Sequence, residues 1–156
     1  MSYTGSKAQS GFGSKLEINT GTASAPTWVI VDECVGLTQS GTANKTDDTT
    51  NLQSTAEEFI ATILTPGSWD FNMNRLTASA GAGQAAVLAS FNAATIKQYK
   101  VTLPINIPCG QSTAGDTYVF IALVEKFPLA EVKVDKKIAY TATLKVSGAI
   151  TFTPGS

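Results

Sequence analysis

The chain has 156 residues, which is enough for one ordinary domain with a sizeable core. Its 11 Lys and Arg nearly balance its 12 Asp and Glu, and Arg75 is the single arginine, so a basic groove for nucleic acid is not expected. Histidine is absent, which excludes histidine-based triads, histidine general bases and histidine metal ligands. Charged residues make up only 15% of the chain, and such a weakly charged surface suits close contact with other protein surfaces.

The N-terminal third begins with residues 1–14, which are mostly Gly, Ser and small polar residues. This composition predicts an arm that is flexible alone or that becomes ordered on a neighbouring subunit. Residues 15–19 alternate polar and apolar and predict a first strand. Residues 28–39 predict one long strand, or two strands separated by a bulge or bend at Asp32 and Glu33.

Residues 41–67 are polar and rich in Thr, and they predict one long loop. Loops longer than about 15 residues are usually functional or disordered. The segment holds a single apolar patch, formed by Phe59, Ile60, Ile63 and Leu64. We expect this patch to be a short helix or strand within the loop, or an anchor for a partner.

The following segment predicts a strand and then a helix. Trp69, Phe71 and Met73 alternate with polar residues, as in a half-buried strand that follows a Pro-Gly turn. Residues 84–95 are rich in alanine and predict the one helix of the chain. Its apolar stripe is formed by Val87, Leu88 and Phe91.

The C-terminal half predicts three strands. Residues 97–107 alternate, but Pro104 lacks a backbone donor, so this strand is expected at a sheet edge or at a bulge. Residues 117–127 are apolar on both faces, which predicts a subunit edge strand covered from outside at Val119, Ile121 and Leu123. Residues 138–152 alternate most regularly. The pattern favours a single mainly β domain over 1–156, an antiparallel sandwich or barrel with one flanking helix.

No pattern in the chain predicts catalysis. A G-x-G-x-x-A string begins at Gly81, but no βαβ unit surrounds it. Acidic pairs lack the spacing of a calcium loop, and Cys34 and Cys109 lack the spacing of a metal site. We therefore expect no catalytic, metal or cofactor residues, and two buried thiols. No apolar run reaches membrane length, and no signal peptide is evident, so synthesis in the cytosol is expected.

The order of these pieces resembles the major tail tube proteins of phages with long non-contractile tails. The resemblance rests on a GSKLEI opening, PTWVIVDECVGLTQSG running into the acidic Thr-rich segment, and PGSWDFNMN before the helix. It continues with KVTLPI, TYVFIALVEKF and the terminal KVSGAITFTP. The similarity covers nearly the whole chain as a pattern.

The resemblance implies a β-sandwich flanked by a helix, as in type VI secretion tube proteins, and subunits that join in hexameric rings with merged sheets. The rings would stack through residues 41–67, with contacts from Phe59, Ile60, Ile63 and Leu64, and through the arm 1–14. Viral DNA would pass through the lumen without specific binding. The implied partners are a tail tip or initiator, a tape measure protein and a terminator, assembled in the host cytoplasm into the virion tail without cofactor or membrane.

The lumen of such tubes tends to be acidic, and Asp32, Glu33, Asp47 and Asp48 are the candidates in this chain. For Asp47 and Asp48, a position on an outer loop fits the sequence equally well. Two other functions remain open. One is the tube of a phage-derived bacteriocin or secretion device, and the other is a small β-barrel ligand-binding module in which 41–67 forms a lid.

Overall fold

The computed structural model describes residues 8–76 and 81–156. In chain order the strands are β1 (Lys15–Asn19), β2 (Trp28–Ile30), β3 (Cys34–Gln39), β4 (Ala43–Asp48), β5 (Phe59–Thr65), β6 (Ser68–Asn74), β7 (Ile96–Thr102), β8 (Thr117–Lys126), β9 (Leu129–Glu131) and β10 (Ala139–Thr153). The helix α1 (Ala82–Asn92) lies between β6 and β7. A short 3-10 helix spans Ile107–Cys109.

The main sheet is antiparallel and strongly curved. Its strand order is β2-β1-β7-β8-β10-β6-β3, with β9 paired to the start of β10. Laid flat, seven strands would span roughly 29 Å, because neighbouring strands lie about 4.8 Å apart. The outermost strands β2 and β3 are joined by residues 31–33 alone, which reach at most about 15 Å. The sheet must therefore curl into an open barrel, within the mainly β architecture expected from the sequence.

The core fills the concave face of this sheet. In β6 the alternation predicted from the sequence is confirmed, since Trp69, Phe71 and Met73 are buried and Asp70 is exposed. The Trp69 ring stacks on Phe120 of β8, with ring centroids 5.5 Å apart. The strand β10 lies between β6 and β8 in the sheet, so this ring contact packs two strands together that are not neighbours. The other fully buried large side chains are Leu16, Ile18, Val31, Val87, Tyr99, Val101 and Leu144.

The helix α1 covers the core at the end of the sheet where β6 finishes. It packs on β8, β1 and β2, and Gly83 contacts β2 so closely that an added Cβ would lie 2.0 Å from the Ile30 carbonyl oxygen. The predicted apolar stripe is only partly correct. Val87 is buried, but Leu88 and Phe91 remain 40% and 36% exposed, because the helix meets the sheet through small residues.

The side chain of Gln84 fastens the helix to the bend between β2 and β3. Its amide nitrogen donates to the carbonyl oxygens of Asp32 (2.9 Å) and Asn74 (2.6 Å), and its amide oxygen accepts from the Leu76 backbone N–H (3.0 Å). Within the bend, Glu33 adopts a left-handed φ of 56°. Two strands separated by a bend, one of the two predicted alternatives, are therefore what residues 28–39 form.

The strand β6 defines two ends of the molecule. At its start Ser68 bonds with Ser40, next to the β4–β5 hairpin, and we call this the hairpin end. At its finish Asn74 bonds with Glu33, and the Arg75 backbone N–H donates to the Ile138 carbonyl oxygen; we call this the bend end. The seven residues of β6 separate the two ends by about 20 Å at 3.3 Å per residue.

Two expectations about strands were wrong, and a third was only partly correct. Residues 41–67 form the β4–β5 hairpin rather than a loop, although a short strand within them was one expected alternative. The strand β7 lies inside the sheet between β1 and β8, because it ends at Thr102 and Pro104 therefore removes no ladder hydrogen bond. The strand β8 also lies inside the sheet, between β7 and β10, so Val119, Ile121 and Leu123 are not on an edge strand.

Smaller differences concern the termini and the cysteines. Residues 8–14 lie along the surface, and the Gln9 side chain donates to the Pro104 carbonyl oxygen; the remainder of the predicted arm lies outside the described residues. The two cysteines form no disulfide. Cys34 is half-buried, but Cys109 is exposed, contrary to expectation, because it lies in the 3-10 turn beyond β7 rather than in a strand.

The close contact at Gly83 predicts a cost for any side chain there. We expect Gly83→Ala to lower the free energy of unfolding by about 1–3 kcal/mol, because the helix must move away from the β2 backbone. Urea denaturation of the monomer measures this change. The matched control is Gly36→Ala, whose Cβ would meet only the Asn72 amide nitrogen at 3.9 Å. Equal stability of both variants and the parent would contradict the packing at Gly83.

Candidate assembly surfaces

The β4–β5 hairpin is a two-stranded sheet separate from the main sheet. Asp48 pairs with Phe59 near its tip, and Ala43 pairs with Thr65 at its base. All residues of both strands are exposed. The hairpin therefore contributes nothing to the core, and its apolar side chains remain uncovered in the isolated subunit.

The apolar patch predicted from the sequence lies on both faces of the hairpin. Phe59 and Ile60 are adjacent in β5 and so point to opposite faces, with 56% and 52% of their surfaces exposed. Ile63 and Leu64 are adjacent in the same way and are 69% and 52% exposed. Leu52 at the tip is fully exposed. Large apolar side chains exposed on both faces of one hairpin are typical of an interaction site.

The tip of the hairpin is held by hydrogen bonds around Asp48. The Thr50 backbone N–H donates to the Asp48 carboxylate at 2.8 Å, and the Thr50 hydroxyl oxygen accepts the Glu58 N–H at 2.9 Å. Hydrogen bonds from the Thr50 side chain and backbone lower the pKa of Asp48 below its usual value. The tip therefore carries its negative charge at neutral pH.

Two glycines form the base of the hairpin. Gly41 and Gly67 have φ angles of +87° and +79°, in the left-handed region that favours glycine. A Cβ on Gly67 would lie 2.2 Å from the Gly41 carbonyl oxygen. Just inside them, the Ser40 N–H donates to the Ser68 carbonyl oxygen at 2.9 Å. The two hairpin strands thus leave the main sheet through one narrow neck.

The outward face of β8 is a second uncovered apolar surface. Val119 and Leu123 are half-buried and Ile121 is 44% exposed. Ile96 on β7 lies directly opposite Leu123 in the register and is 55% exposed, which extends the stripe to the next strand. Because β8 has neighbours on both sides, a partner must pack on its side chains and cannot pair with its backbone.

The four acidic lumen candidates fall in two separate places. Glu33 lies in the bend, where its carboxylate accepts the Asn74 side-chain amide at 2.8 Å, and Asp32 precedes it. Asp47 and Asp48 lie on β4, in the separate two-stranded sheet. The structure of one subunit does not bring these pairs together, so a shared acidic lining stays a prediction.

Sequence reasoning missed two features. One is the narrow neck, for which the signal was the pair of glycines that bracket residues 41–67. The other is a set of exposed cations and valines at the bend end, contributed by Arg75 and by residues 132–137. The alternating string VKVDKK, which precedes the last predicted strand, was the signal for this second feature.

The described residues hold no cluster suited to metal binding, and their perturbed titratable groups lie apart. No group of three or more carboxylates and thiols within 8–76 and 81–156 could hold a metal ion. Burial raises the pKa of the Cys34 thiol and raises that of Tyr99 to about 12, at separate positions in the fold. Perturbed groups cluster at catalytic sites, and these do not. No helix in the described part of the chain is long and apolar enough to cross a membrane.

A cavity of about 370 Å³ lies between β3, β6 and β7. Leu37, Trp69 and Val101 line it, and Gly11 and Ser14 of the N-terminal segment close one side. No residue of the hairpin lines this cavity. A lid role for residues 41–67 over this cavity therefore has no support in the geometry.

This chain is similar to solved structures of tail tubes over nearly its whole length. One similar structure is a chain from the tail of an empty gene transfer agent particle, computed with helical refinement and C6 symmetry. It is 12% identical to this chain with a TM-score of 0.71, and the match covers 94% of this chain and 99% of that chain. A chain of the SPP1 tail tube is 10% identical with a TM-score of 0.69, covering 92% and 77%. The chain has the tail-tube fold.

The same fold extends to secretion machinery. A type six secretion system protein is 7% identical with a TM-score of 0.56, covering 89% of this chain and 81% of that chain. No protein-family model matches the chain, and no curated protein matches it. At these identities the similarity shows the tail-tube fold, as the resemblance in sequence pattern implied, and the function has to be argued from the surfaces.

The exposed hairpin predicts a difference in hydrogen exchange between monomer and assembly. An isolated two-stranded sheet is only marginally stable in water, so backbone amides of Phe59–Thr65 should exchange rapidly in the monomer. Covering by a neighbouring copy should slow them by at least about tenfold. Amides of β6 serve as the internal control, since core strands are protected in both states. Equal and strong protection of β5 in monomer and assembly would contradict a role in contacts between subunits.

Proposed function

We propose that the protein is a non-catalytic structural subunit that assembles into stacked hexameric rings, forming the hollow tail tube through which viral DNA passes. The observation that carries the proposal is the β4–β5 hairpin, exposed along both strands and apolar on both faces, on a domain with the tail-tube fold. A free monomer gains nothing from such a hairpin, whereas a subunit of an assembly can bury it.

Within a ring, the proposed contact uses the outward face of β8. Burying about 200 Å² of this apolar stripe would contribute roughly 5 kcal/mol at 25 cal/mol per Å², before the cost of association. Six such contacts closed in a ring reinforce one another, because each subunit is held on two sides. The position of β8 inside the sheet means that these contacts involve side chains, while the outer strands β2 and β3 remain available for backbone pairing.

Between rings, the proposed contact uses the hairpin with Phe59, Ile60, Ile63 and Leu64. Ordering this segment fully costs about 1–2 kcal/mol per residue in backbone entropy. The hairpin bonds recover part of that cost, and apolar burial against the next ring supplies the rest. Stacking thereby becomes conditional on a preformed ring, and the subunit stays unpolymerised until an initiator presents one.

The proposed lumen is a passive channel. DNA carries one charge per about 1.7 Å of its axis, so a basic lining would retain it, whereas a weakly charged or acidic lining would release it. Asp32, Glu33, Asp47 and Asp48 are the proposed lumen residues, and the overall balance of 11 cations and 12 anions is compatible with this role. A ring of lysines facing the bore in the assembled structure would contradict it.

The remaining components follow from the same proposal. The subunit would act with a tail tip or initiator complex, a tape measure protein and a terminator, in a tail assembled in the host cytoplasm. Neither a cofactor nor a membrane is involved. A second candidate is the tube of a phage-derived bacteriocin or secretion device, favoured by the similarity to the type six secretion system protein. Particles of such a device would carry no DNA.

Electron microscopy of the purified protein tests the proposal directly. At high concentration we expect hollow tubes built from rings with six-fold symmetry. The proposal is overturned if the protein stays monomeric in gel filtration at high concentration and its hairpin is protected from hydrogen exchange only when a small ligand is added. That result would favour a ligand-binding module.

The contact within rings predicts the effect of charge on the face of β8. We expect Val119→Lys and Ile121→Lys each to abolish assembly and to leave a folded monomer, because a lysine must be desolvated at the contact, whereas in the monomer Ile121 is exposed and Val119 only half-buried. Sedimentation velocity measures the assembly, and circular dichroism checks the fold. Ala23→Lys, in the exposed turn between β1 and β2, is the control. If both β8 variants still form tubes, this face does not join subunits.

A further inference from the structure

The hairpin and the bend end carry opposite charges. Around the hairpin, Asp47, Asp48, Glu57 and Glu58 outnumber Lys45, which gives a net charge of −3. At the bend end, Arg75, Lys133, Lys136 and Lys137 outnumber Asp32, Glu33 and Asp135, which gives +1. All of these residues are exposed except Asp32, which is half-buried, and the Glu33 carboxylate is held by the Asn74 amide.

The bend end also offers a shaped surface. Asn74, Arg75, Leu76, Lys137 and Ile138 line a hollow of about 310 Å³, which we call the bend-end hollow. Arg75 fixes one wall, because its backbone N–H donates to the Ile138 carbonyl oxygen at 2.9 Å.

The segment that precedes the hollow's Lys137 carries two valines, and the bend beside Asn74 carries two acidic residues. Val132 and Val134 lie in the adjoining segment and are 61% and 111% exposed. Asp32 and Glu33 lie at the same end, on the β3 side of Asn74, and the Glu33 carboxylate is already hydrogen-bonded to the Asn74 amide. Valines and charged residues thus alternate along the sequence of 132–135, next to the hollow's Lys137.

The positions of the two surfaces determine what kind of contact they can make. The hairpin leaves the sheet at one end of β6 and the hollow lies at the other, about 20 Å apart. The hairpin strands pack on each other and no hairpin residue lines the hollow, so the two surfaces are not in contact within one copy. A contact between the two surfaces is heterologous, and heterologous contacts that do not close produce an open stack.

We propose that the bend-end hollow is the receiving site for the hairpin of a second copy in the next ring. The occupant matches the site twice, since Glu57 and Glu58 near its tip meet Arg75 and Lys137, and its uncovered apolar side chains meet Val132 and Val134. Each subunit then contributes one donor hairpin and one acceptor hollow, so that every ring adds to the stack in a single direction. The contact rests on the proposed tube and assigns the surface that receives its stacking hairpin.

Charge reversal on each surface tests the contact. The hairpin variant combines Glu57→Lys with Glu58→Lys, which leaves the Asp48 hydrogen bonds of the tip intact, because Glu58 takes part in the tip only through its backbone. The hollow variant combines Arg75→Glu with Lys137→Glu. We expect each double variant to raise the critical concentration for tube formation by more than about tenfold, because like charges then face each other. The chain that carries all four substitutions should recover to within about threefold of the parent.

Three controls separate the possible results. Lys15→Glu with Lys97→Glu changes the net charge as much as the hollow variant but lies elsewhere, and it should polymerise as the parent does. Thermal melting checks that each variant is folded. Since the pair is partly solvent-exposed, the effect of either double variant should weaken between 0.01 and 1 M salt, over which the Debye length falls from about 30 to 3 Å.

The proposal is overturned if either double variant polymerises like the parent, or if the fourfold variant polymerises no better than the doubles. It is also overturned if the hollow variant forms normal tubes but binds DNA more weakly, since the cations would then serve nucleic acid. Failure of the parent chain to form any tube would refute the tube itself. Parent tubes with unaffected variants would refute only the assigned hollow.

Discussion

The bend at residues 31–33 is the constraint on which the rest of the architecture depends. It joins the two outermost strands of the main sheet, and its shortness forces the sheet to curl around the core. The Gln84 amide holds this bend to the end of β6 through the Asp32 and Asn74 carbonyl oxygens. Because these carbonyls are taken out of water in the fold, removing the amide would leave acceptors unsatisfied as well as loosening the helix.

The curled sheet gives the subunit its direction. The strand β6 runs from the neck at the hairpin end to the bend at the other end. The loops and hairpins between strands therefore lie at one of these two ends. The hairpin and its acidic tip extend from the first, and the cations and valines of 132–137 lie at the second. Under the proposed function, the unlike ends would meet head to tail, and the outward face of β8 would be left for contacts within a ring.

Most of the fold could be predicted from the sequence where alternation was clean. The burial of Trp69, Phe71 and Met73 and the strand at β10 followed from period-two patterns. The position of β8 within the sheet could not be predicted. A strand that is apolar on both faces has the same sequence pattern whether it lies inside a sheet or at its edge. Pro104 misled for a similar reason, since the strand ends two residues before it and no donor is lost.

The assembly surfaces were predictable only in part. The apolar patch at Phe59 to Leu64 was visible, but a Thr-rich segment with few apolar residues gave no sign of a hairpin, since its strands are held by each other and not by the core. The bend-end hollow brings Arg75 next to Lys137, which are far apart in sequence. Only the pairing of β6 with β10 makes them neighbours, and that register depends on long-range contacts.

The central claim is that the hairpin, and not the core domain, drives stacking. It is tested most directly by replacing residues 42–66 with a short Gly-Ser linker and imaging the protein by electron microscopy. The Ser40–Ser68 hydrogen bonds close the sheet at this point, so the core should keep the parent's thermal stability. We predict a folded protein that forms monomers or single rings and no tubes. Tubes of normal length from this shortened chain would contradict the account.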